Sequence, residues 1–379
     1  MDFGNSDISY QERILPHVSR TFALTIPQLP ARLRTAVSNA YLLCRIADTL
    51  EDDLALSAAE TRVFLQRFTA VVSGTEEAAT LARELAGRLS DRTLPAEREL
   101  VGNMERVIRV TADLGEQRAA IERCIELMCD GMHRFRLTAS LRGLAQSRDL
   151  DSYCYYVAGV VGEMLTELFC RYSPEVAAQR ATLYELSTSF AQGLQMTNIL
   201  KDFWEDRSRG ACWVPQDVFA RHGVELAQLS PERSDARFHA GVRELVGVAH
   251  GHLHNALAYA LLIPAEESGI RRFCLWAIGL AVLTLRKIAA NPQFISGRQV
   301  KVSHSAVFAT RMSTDLMVRN DRMLRYLFER AAHGLPLTSP LAVGRAAARA
   351  AALATEPREA QQRPRRISAP PRSDRSAAQ

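Results

Sequence analysis

The sequence predicts an all-α fold, and three observations carry that prediction. Apolar residues recur at helical spacing in nearly every segment from residue 31 to 333, as in Leu33, Val37, Ala40, Tyr41, Cys44 and Ala47, and again along Leu183, Leu186, Phe190, Leu194 and Leu200. Alternating strand-like runs between turn signals are hard to find. The interruptions are short and carry Gly, Pro or Ser, the residues that end helices.

In chain order the interruptions fall at Pro27 to Pro30, Ser73-Gly74, Ser90 to Pro95, Asp113 to Glu116, Arg142 to Arg148 and Ser173-Pro174. They continue at Ser208 to Pro215, Ser230-Pro231, Ile263-Pro264, Asn291-Pro292 and Gly334 to Pro340. These cuts leave about ten helices and no long polar linker, so one helical domain over residues 1–336 is expected. With 47% apolar residues in 379, the chain has material for a large core. Beyond it, Val343 to Ala354 can form only a marginal helix, and Arg, Pro, Ser, Gln and Ala then dominate. Residues 337–379 are therefore expected to be a low-complexity, largely disordered basic tail.

Charge follows the same division. Lys plus Arg number 47 and Asp plus Glu 42, a net +5, and Pro357 to Gln379 alone hold six Arg against two acids. The folded part is close to neutral, so no nucleic-acid partner is expected for it. The tail could draw the protein peripherally to anionic lipid. The longest strongly apolar run, Phe273 to Leu285, is closed by Arg286 and Lys287. It falls short of the about 20 residues a membrane span needs, so it reads as a buried helix. No secretory signal opens the chain, and a cytoplasmic monomer is expected. Seven scattered cysteines with no Cys-x-x-Cys pair read as reduced core residues.

Two acidic stripes stand out. In Tyr41-Leu-Leu-Cys-Arg45-Ile-Ala-Asp48-Thr-Leu-Glu51-Asp52-Asp53, the acids Asp48, Glu51 and Asp52 share one helix face. They sit near a helix C-terminus, where the dipole also disfavours anions, so a positive partner is needed. In Gln195-Met-Thr-Asn198-Ile-Leu-Lys201-Asp202-Phe-Trp-Glu205-Asp206, the polar residues Asn198, Asp202 and Asp206 recur every fourth residue of one expected helix. Two such stripes make sense if they face each other and hold Mg²⁺, a hard ion that takes carboxylate oxygens and shares its shell with substrate phosphates. A diphosphate substrate suits that arrangement. No Gly-x-x-x-x-Gly-Lys-Ser/Thr, Gly-x-Ser-x-Gly or Gly-x-Gly-x-x-Gly occurs, which leaves P-loop, serine-nucleophile and Rossmann chemistry without a foothold. His250, His252 and His254 read as a polar helix face rather than a metal site.

Four segments, Ser19-Arg20-Thr21-Phe22, Tyr41 to Asp53, Asp151 to Gly162 and Gln195 to Asp206, resemble in order and spacing the motifs of the squalene/phytoene synthase family. The Tyr41 to Asp53 segment, Phe273-Cys274 and Val300-Lys301-Val302 lean toward its squalene-forming branch. The resemblance implies a single isoprenoid-synthase-like helical domain with a central cavity, joining two farnesyl diphosphates head to head through presqualene diphosphate. It implies Mg²⁺, with Mn²⁺ as a substitute, and NADPH for the final reduction. By the same resemblance Asp48, Glu51, Asp52, Asn198, Asp202 and Asp206 surround the metals. Ser19, Arg20, Tyr41, Arg45 and Gln195 serve the substrate, with Arg suited to phosphate oxygens through its planar fork. Tyr153 is implied at the cyclopropane-forming step, and Phe22, Tyr156 and Phe273 are candidate aromatic walls for carbocations. Lys301 is the candidate NADPH contact, with Val302, Ser303 and His304 where the branch usually has further basic residues. Sister products on the same fold are presqualene diphosphate, hydroxysqualene, dehydrosqualene and phytoene. A non-catalytic helical scaffold with a polyanion-binding tail is the alternative of a different class.

Overall fold

The computed structural model describes residues 3–19 and 21–338, and among these it has eighteen α-helices and no strand beyond one isolated bridge, Leu144 to Pro215. Arg20 and the tail from residue 339, with its Val343 to Ala354 stretch, lie outside the described residues.

Helix α1 (Phe3–Val18) meets α2 (Phe22–Thr25) across a turn in which Ser19 Oγ accepts the Phe22 N–H at 3.0 Å. After the Pro27 to Pro30 break comes α3 (Ala31–Asp52), the 22-residue helix that carries the first acid stripe. It stops because Asp53 is extended and its carboxylate accepts the N–H groups of Ala55 and Ser90 and the Thr93 hydroxyl. Helix α4 (Ala58–Ser73) opens with a Ser57/Glu60 capping box and closes at Gly74, whose φ of 82° is the left-handed conformation glycine supplies. The short amphipathic helices α5 (Ala78–Ala86), α6 (Pro95–Gly102) and α7 (Met104–Asp113) follow.

Helices α8 (Arg118–Thr138) and α9 (Ser147–Cys154) lead into a single π-helical turn, Tyr155–Gly159, before α10 (Val160–Tyr172). Then come α11 (Pro174–Ala177), α12 (Arg180–Lys201), α13 (Phe203–Ser208) and α14 (Gln216–Arg221). The described residues close with α15 (Ala236–Leu262), α16 (Ser268–Ala290), α17 (His304–Met317) and α18 (Asp321–Ala332). Ten of the eleven interruptions in the sequence fall at or beside α-helix ends, and Ser230-Pro231 lies within the loop between α14 and α15, where a 3-10 turn begins. The helix count exceeds ten because further breaks before Phe22, from Asp53 to Ser57, at Asn103, at the π turn, at Ala178-Gln179, at Asp202 and from Val318 to Asn320 divide the expected segments.

Buried side chains from Tyr10 to Ala332 form one contiguous apolar core. At its centre α12 packs on α10 and α15. The α10 contact depends on Gly162, where a methyl group would stand 2.4 Å from the Ser187 carbonyl oxygen. Arg271, 3% exposed, donates to the carbonyls of Ile263 and Val318 and to Asp321, so one buried guanidinium ties α15, α17 and α18 to α16. By length and composition α16 could cross a membrane, yet 61% of its apolar window is buried inside the protein, where it packs on α12, α15, α17 and α18. Two histidines depart from expectation. His250 and His252 are 5% and 2% exposed, turned inward because α15 is a central helix, with Nδ1 of each bonded to Pro336 O and Ser189 Oγ respectively. Only His254 faces outward, toward Glu329.

Candidate active site

The fold brings the two acid stripes together. Asp48, Glu51 and Asp52 occupy the last turn of α3, and Asp202 and Asp206 occupy the α12 to α13 junction. Arg209 spans them, with one nitrogen 3.3 Å from Asp52 Oδ2 and the other 2.5 Å from Asp206 Oδ1. The sequence places Asn198, Asp202 and Asp206 on one continuous helix. In the structure the helix breaks at Asp202, whose φ and ψ are −96° and 14°. The four-residue step survives because Asp202 N–H still donates to Asn198 O and Asp206 N–H to Asp202 O, at 2.8 and 2.9 Å.

The acids are poorly compensated. Burial pushes Asp48 up to about 6, with Asp52 and Glu97 adding repulsion that Arg45 only partly counters. Burial raises Asp206 to about 6 as well, against the pull of Arg209. Glu51, 7% exposed, is raised by desolvation and by Asp52 and Asp48, and its Oε1 has no hydrogen-bond partner. Four cations are present: Arg45 lies 3.7 Å from Asp48, Lys201 holds Asp202 at 2.5 Å, Arg209 joins the stripes, and the charge of Arg136 partly offsets the rise at Glu51. Glu97, Arg136 and Arg209 are absent from the motif reading. Arg209 alone had a local signal, standing three residues beyond Asp206.

Among the described residues no three His, Cys, Asp or Glu side chains form a ready-made cation cage. Arg45, Lys201 and Arg209 take up carboxylate oxygens of Asp48, Asp52, Asp202 and Asp206, the acids expected with Glu51 and Asn198 to face Mg²⁺. The donor set nevertheless fits a hard divalent ion. All the groups are oxygen donors, several are held above their usual carboxylate range by burial and then by mutual repulsion, and the buried Glu51 Oε1 is unsatisfied.

Around the acids the other candidates divide into two groups. Tyr153 is buried, stacked on Trp213 at 4.3 Å and edge-on to Phe135. Its phenol is pushed up by burial and then by Glu51, Asp52 and Asp206, carboxylates of both stripes. On the other side Arg45 donates to Tyr41 Oη at 3.0 Å, and Tyr41 donates to Val18 O next to Ser19. Phe22 packs 5.2 Å from Tyr41 and 6.4 Å from Phe273, which meets Phe169, so an aromatic wall leads inward from the arginine. Tyr156 is not part of this wall. It sits so close over Gly131 of α8 that a methyl there would lie 2.2 Å from its Cβ, with Arg134 over its ring. Gln195 is half-buried on α12, and Asn198 is exposed.

Lys301 is exposed, in the loop between α16 and α17. That loop is latched to the acid site. Glu205 Oε1 accepts the Ser296 hydroxyl at 3.0 Å and the Gly297 N–H at 2.9 Å, and Trp204 Nε1 donates to Phe294 O at 2.8 Å. Gly297 is needed there, since a Cβ would stand 3.0 Å from Asp202 Oδ1 and from Lys201 O.

A helical bundle that turns two carboxylate-bearing helix ends toward each other is isoprenoid-synthase-like, and solved structures bear out that class. The fold matches the structure of TcSQS in complex with a ligand at a TM-score of 0.64 and 22% identity, covering 87% of this chain and 98% of that one. A dehydrosqualene synthase structure matches at 0.58 and 20% identity, covering 86% and 96%. At that identity the likeness speaks for the fold alone. The family model described as squalene/phytoene synthase matches residues 15–306, and the chain belongs to that family. It is similar to the squalene synthases of Eremothecium gossypii, 30% identical with 77% of this chain and 64% of the relative covered, and of Candida albicans, 29% identical with 78% and 66% covered. The rat squalene synthase is 27% identical over 87% of this chain and 75% of its own length. The matched part thus spans just under two thirds of the two fungal relatives.

Proposed function

We propose that this protein condenses two molecules of farnesyl diphosphate head to head and reduces the product to squalene. The observation that carries the reading is the junction at Arg209, where carboxylates of α3 and α13 meet beside the buried Tyr153. Similarity to squalene synthases supports the choice of substrate.

Asp48, Glu51, Asp52, Asp202 and Asp206 would hold Mg²⁺, with Asn198 at the exposed margin. When bound, the metal supplies charge to a departing diphosphate and NADPH supplies hydride. The chain's own residues do the rest. Arg45, positioned by Tyr41, and Arg209 donate to diphosphate oxygens as negative charge develops on them, and a leaving group can take over the donors that now bind carboxylates. Ser19 and Arg20 would serve the same end. Phe22 and Phe273 keep water from the allylic cation and offer it aromatic faces. The second molecule's double bond attacks that cation, and the departed diphosphate takes up the proton lost as the cyclopropane closes, with the phenol of Tyr153, kept neutral by burial and then by the acids, as the residue that would assist that step. Lys301 would meet the phosphate of NADPH.

A second reading has its own observation. Ser303 caps α17 by accepting the Ala306 N–H, so the helix begins directly after a single lysine. A weak cofactor site would release a thirty-carbon product unreduced. Incubation of the protein with farnesyl diphosphate and Mg²⁺, with and without NADPH, followed by mass spectrometry, separates these readings. Squalene that appears only with NADPH is the expected result. Dehydrosqualene, hydroxysqualene or presqualene diphosphate despite NADPH favours the second reading, phytoene from geranylgeranyl diphosphate favours that sister activity, and no product from either substrate leaves only a scaffold.

A further inference from the structure

The solvent face of α17 is the wrong way round. A surface helix normally turns its polar side to water. Here Phe308, Met312 and Leu316, spaced four residues apart, are 64%, 46% and 74% exposed, with exposed Ala309 between them and Ser305 and Arg319 at the ends. The helix is held from its other side: Thr314 and Val318 are buried, Asp315 pairs with Arg272 at 3.2 Å, and Arg311 lies over the Trp276 ring at 4.5 Å. The exposed stripe is therefore not needed to hold α17 in place. Ile295 and Tyr326, 53% and 57% exposed, add to the apolar surface of the same loop and helix pair.

The charge of this region is equally one-sided. From Asn291 to Thr338 there are seven Lys and Arg and only three acids. All three acids are engaged by groups on α15 and α16: Asp315 by Arg272, Asp321 by Arg271, and Glu329 by His254. Arg298, Lys301, Arg319, Arg322, Arg325 and Arg330 have no acidic partner among the described residues. An apolar stripe on a helix that is flanked by uncompensated cations matches one environment, an apolar layer beneath anionic headgroups.

We propose that α17 is a docking surface for an anionic lipid bilayer, inserting Phe308, Met312 and Leu316 at the level of the acyl chains. Arg319, Arg322 and Arg325 meet the phosphates. A second copy of this chain would also cover the apolar stripe, but it would bring the same unpaired cations against one another. The charge therefore selects the bilayer. The inference is independent of the proposed chemistry, since it concerns binding without substrate.

Flotation of the full chain with vesicles of phosphatidylcholine, with and without phosphatidylglycerol, tests it. The expected result is binding to the anionic vesicles that weakens with salt and falls about tenfold or more in Phe308→Ser/Leu316→Ser. A full-length protein with the six arginines between Pro357 and Gln379 changed to Gln separates the tail from the helix, and it should still bind in a Leu316-dependent way. Circular dichroism melts check that the variants fold. Should the double serine variant misfold, Arg319→Gln/Arg322→Gln gives the same reading through loss of the anionic preference. Binding unaffected by the helix variants, or lost only with the tail arginines, overturns the proposal. So does a wild-type dimer that the serine variant converts to monomer without any vesicle binding.

Discussion

Asp7 and Asp206 are both nearly buried aspartates with arginine partners, and they are held in opposite ways. Asp7, 3% exposed, receives Arg106 Nε at 2.8 Å and Arg109 Nε at 2.7 Å, and the Arg109 hydrogen bond holds its carboxyl below the usual range. Asp53 is equally settled, with two N–H groups and a hydroxyl. Asp206 has Arg209, yet burial wins and it rises to about 6, as does Asp48 beside Arg45. The difference lies first in how far desolvation outweighs the partners and then in the count of acids per cation. Asp7 has two arginines, of which only Arg109 is shared, with the exposed Glu105, whereas Asp48, Glu51, Asp52 and Asp206 crowd two helix ends and share their cations. Carboxylates that lock a fold are saturated, and carboxylates left short of positive charge mark a place where a ligand completes the balance.

Neutralising one acid from each stripe and one saturated acid should separate the two kinds most widely. Asp48→Asn and Asp202→Asn should each lower product formation from farnesyl diphosphate by about a hundredfold or more, the scale of losing electrostatic help at a developing charge. Asp53→Asn should lower the melting temperature and leave turnover of the folded protein within a few-fold. Equal turnover in Asp48→Asn, Asp202→Asn and wild type would sink the assignment of the stripes.

The stripes themselves were legible because their signal is local: acids three and four residues apart on a helix end have to meet. So were the helix ends, since Ser, Gly and Pro act through the backbone of the residue that carries them. The break at Asp202 was not legible, because the i to i+4 spacing of Asn198, Asp202 and Asp206 survives a one-residue interruption. Nor was the inward turn of His250 and His252. Their fate depends on α15 lying between α12 and α16, which no property of the triplet reports. Trp213 and Glu97 reach the site from elsewhere in the chain, and only folding brings them to Tyr153 and Arg45, as it brings Arg209, a sequence neighbour of Asp206, to Asp52. Tyr156 carries the same lesson in reverse. It lies inside a family-like motif, but the π turn at Tyr155–Gly159 points it at α8.

A smaller effect tests the saturated side. Asp7→Ala removes charge-assisted bonds from two arginines, which remain partly exposed and can regain water. The cost is therefore about 2 kcal/mol rather than the larger figure for stranding a fully buried charge. Chemical denaturation should give that loss with an unchanged denaturant slope, while turnover at saturating substrate stays at the wild-type level. A neutral result would mean that Asp7 is held by its neighbours rather than holding them.

The subtlest test uses pH. A carboxyl whose folded value stands above its unfolded one binds its proton more tightly in the native state, so ionising it works against folding. For Asp206 the window runs from 3.8, its unfolded value, to about 6. Below that window both states are protonated and the residue is neutral toward stability. Across it the unfolded chain ionises first, and the native state loses ground with each unit of pH. Above about 6 the handicap is complete and constant. Asp206→Asn removes the handicap and leaves Arg209 with Asp52 as its partner. In metal-free buffer the variant should therefore melt with the wild type near the acid end, above it by pH 6, and by the same margin at pH 8. Asp7→Asn should do the reverse, because a lowered carboxyl stabilises once ionised and loses that contribution as pH falls. Mg²⁺ with inorganic diphosphate should then raise the melting temperature of the wild type above that of Asp206→Asn at pH 8. A margin that is flat across the whole range would mean that Arg209 already balances Asp206, and that the site is as settled as Asp7.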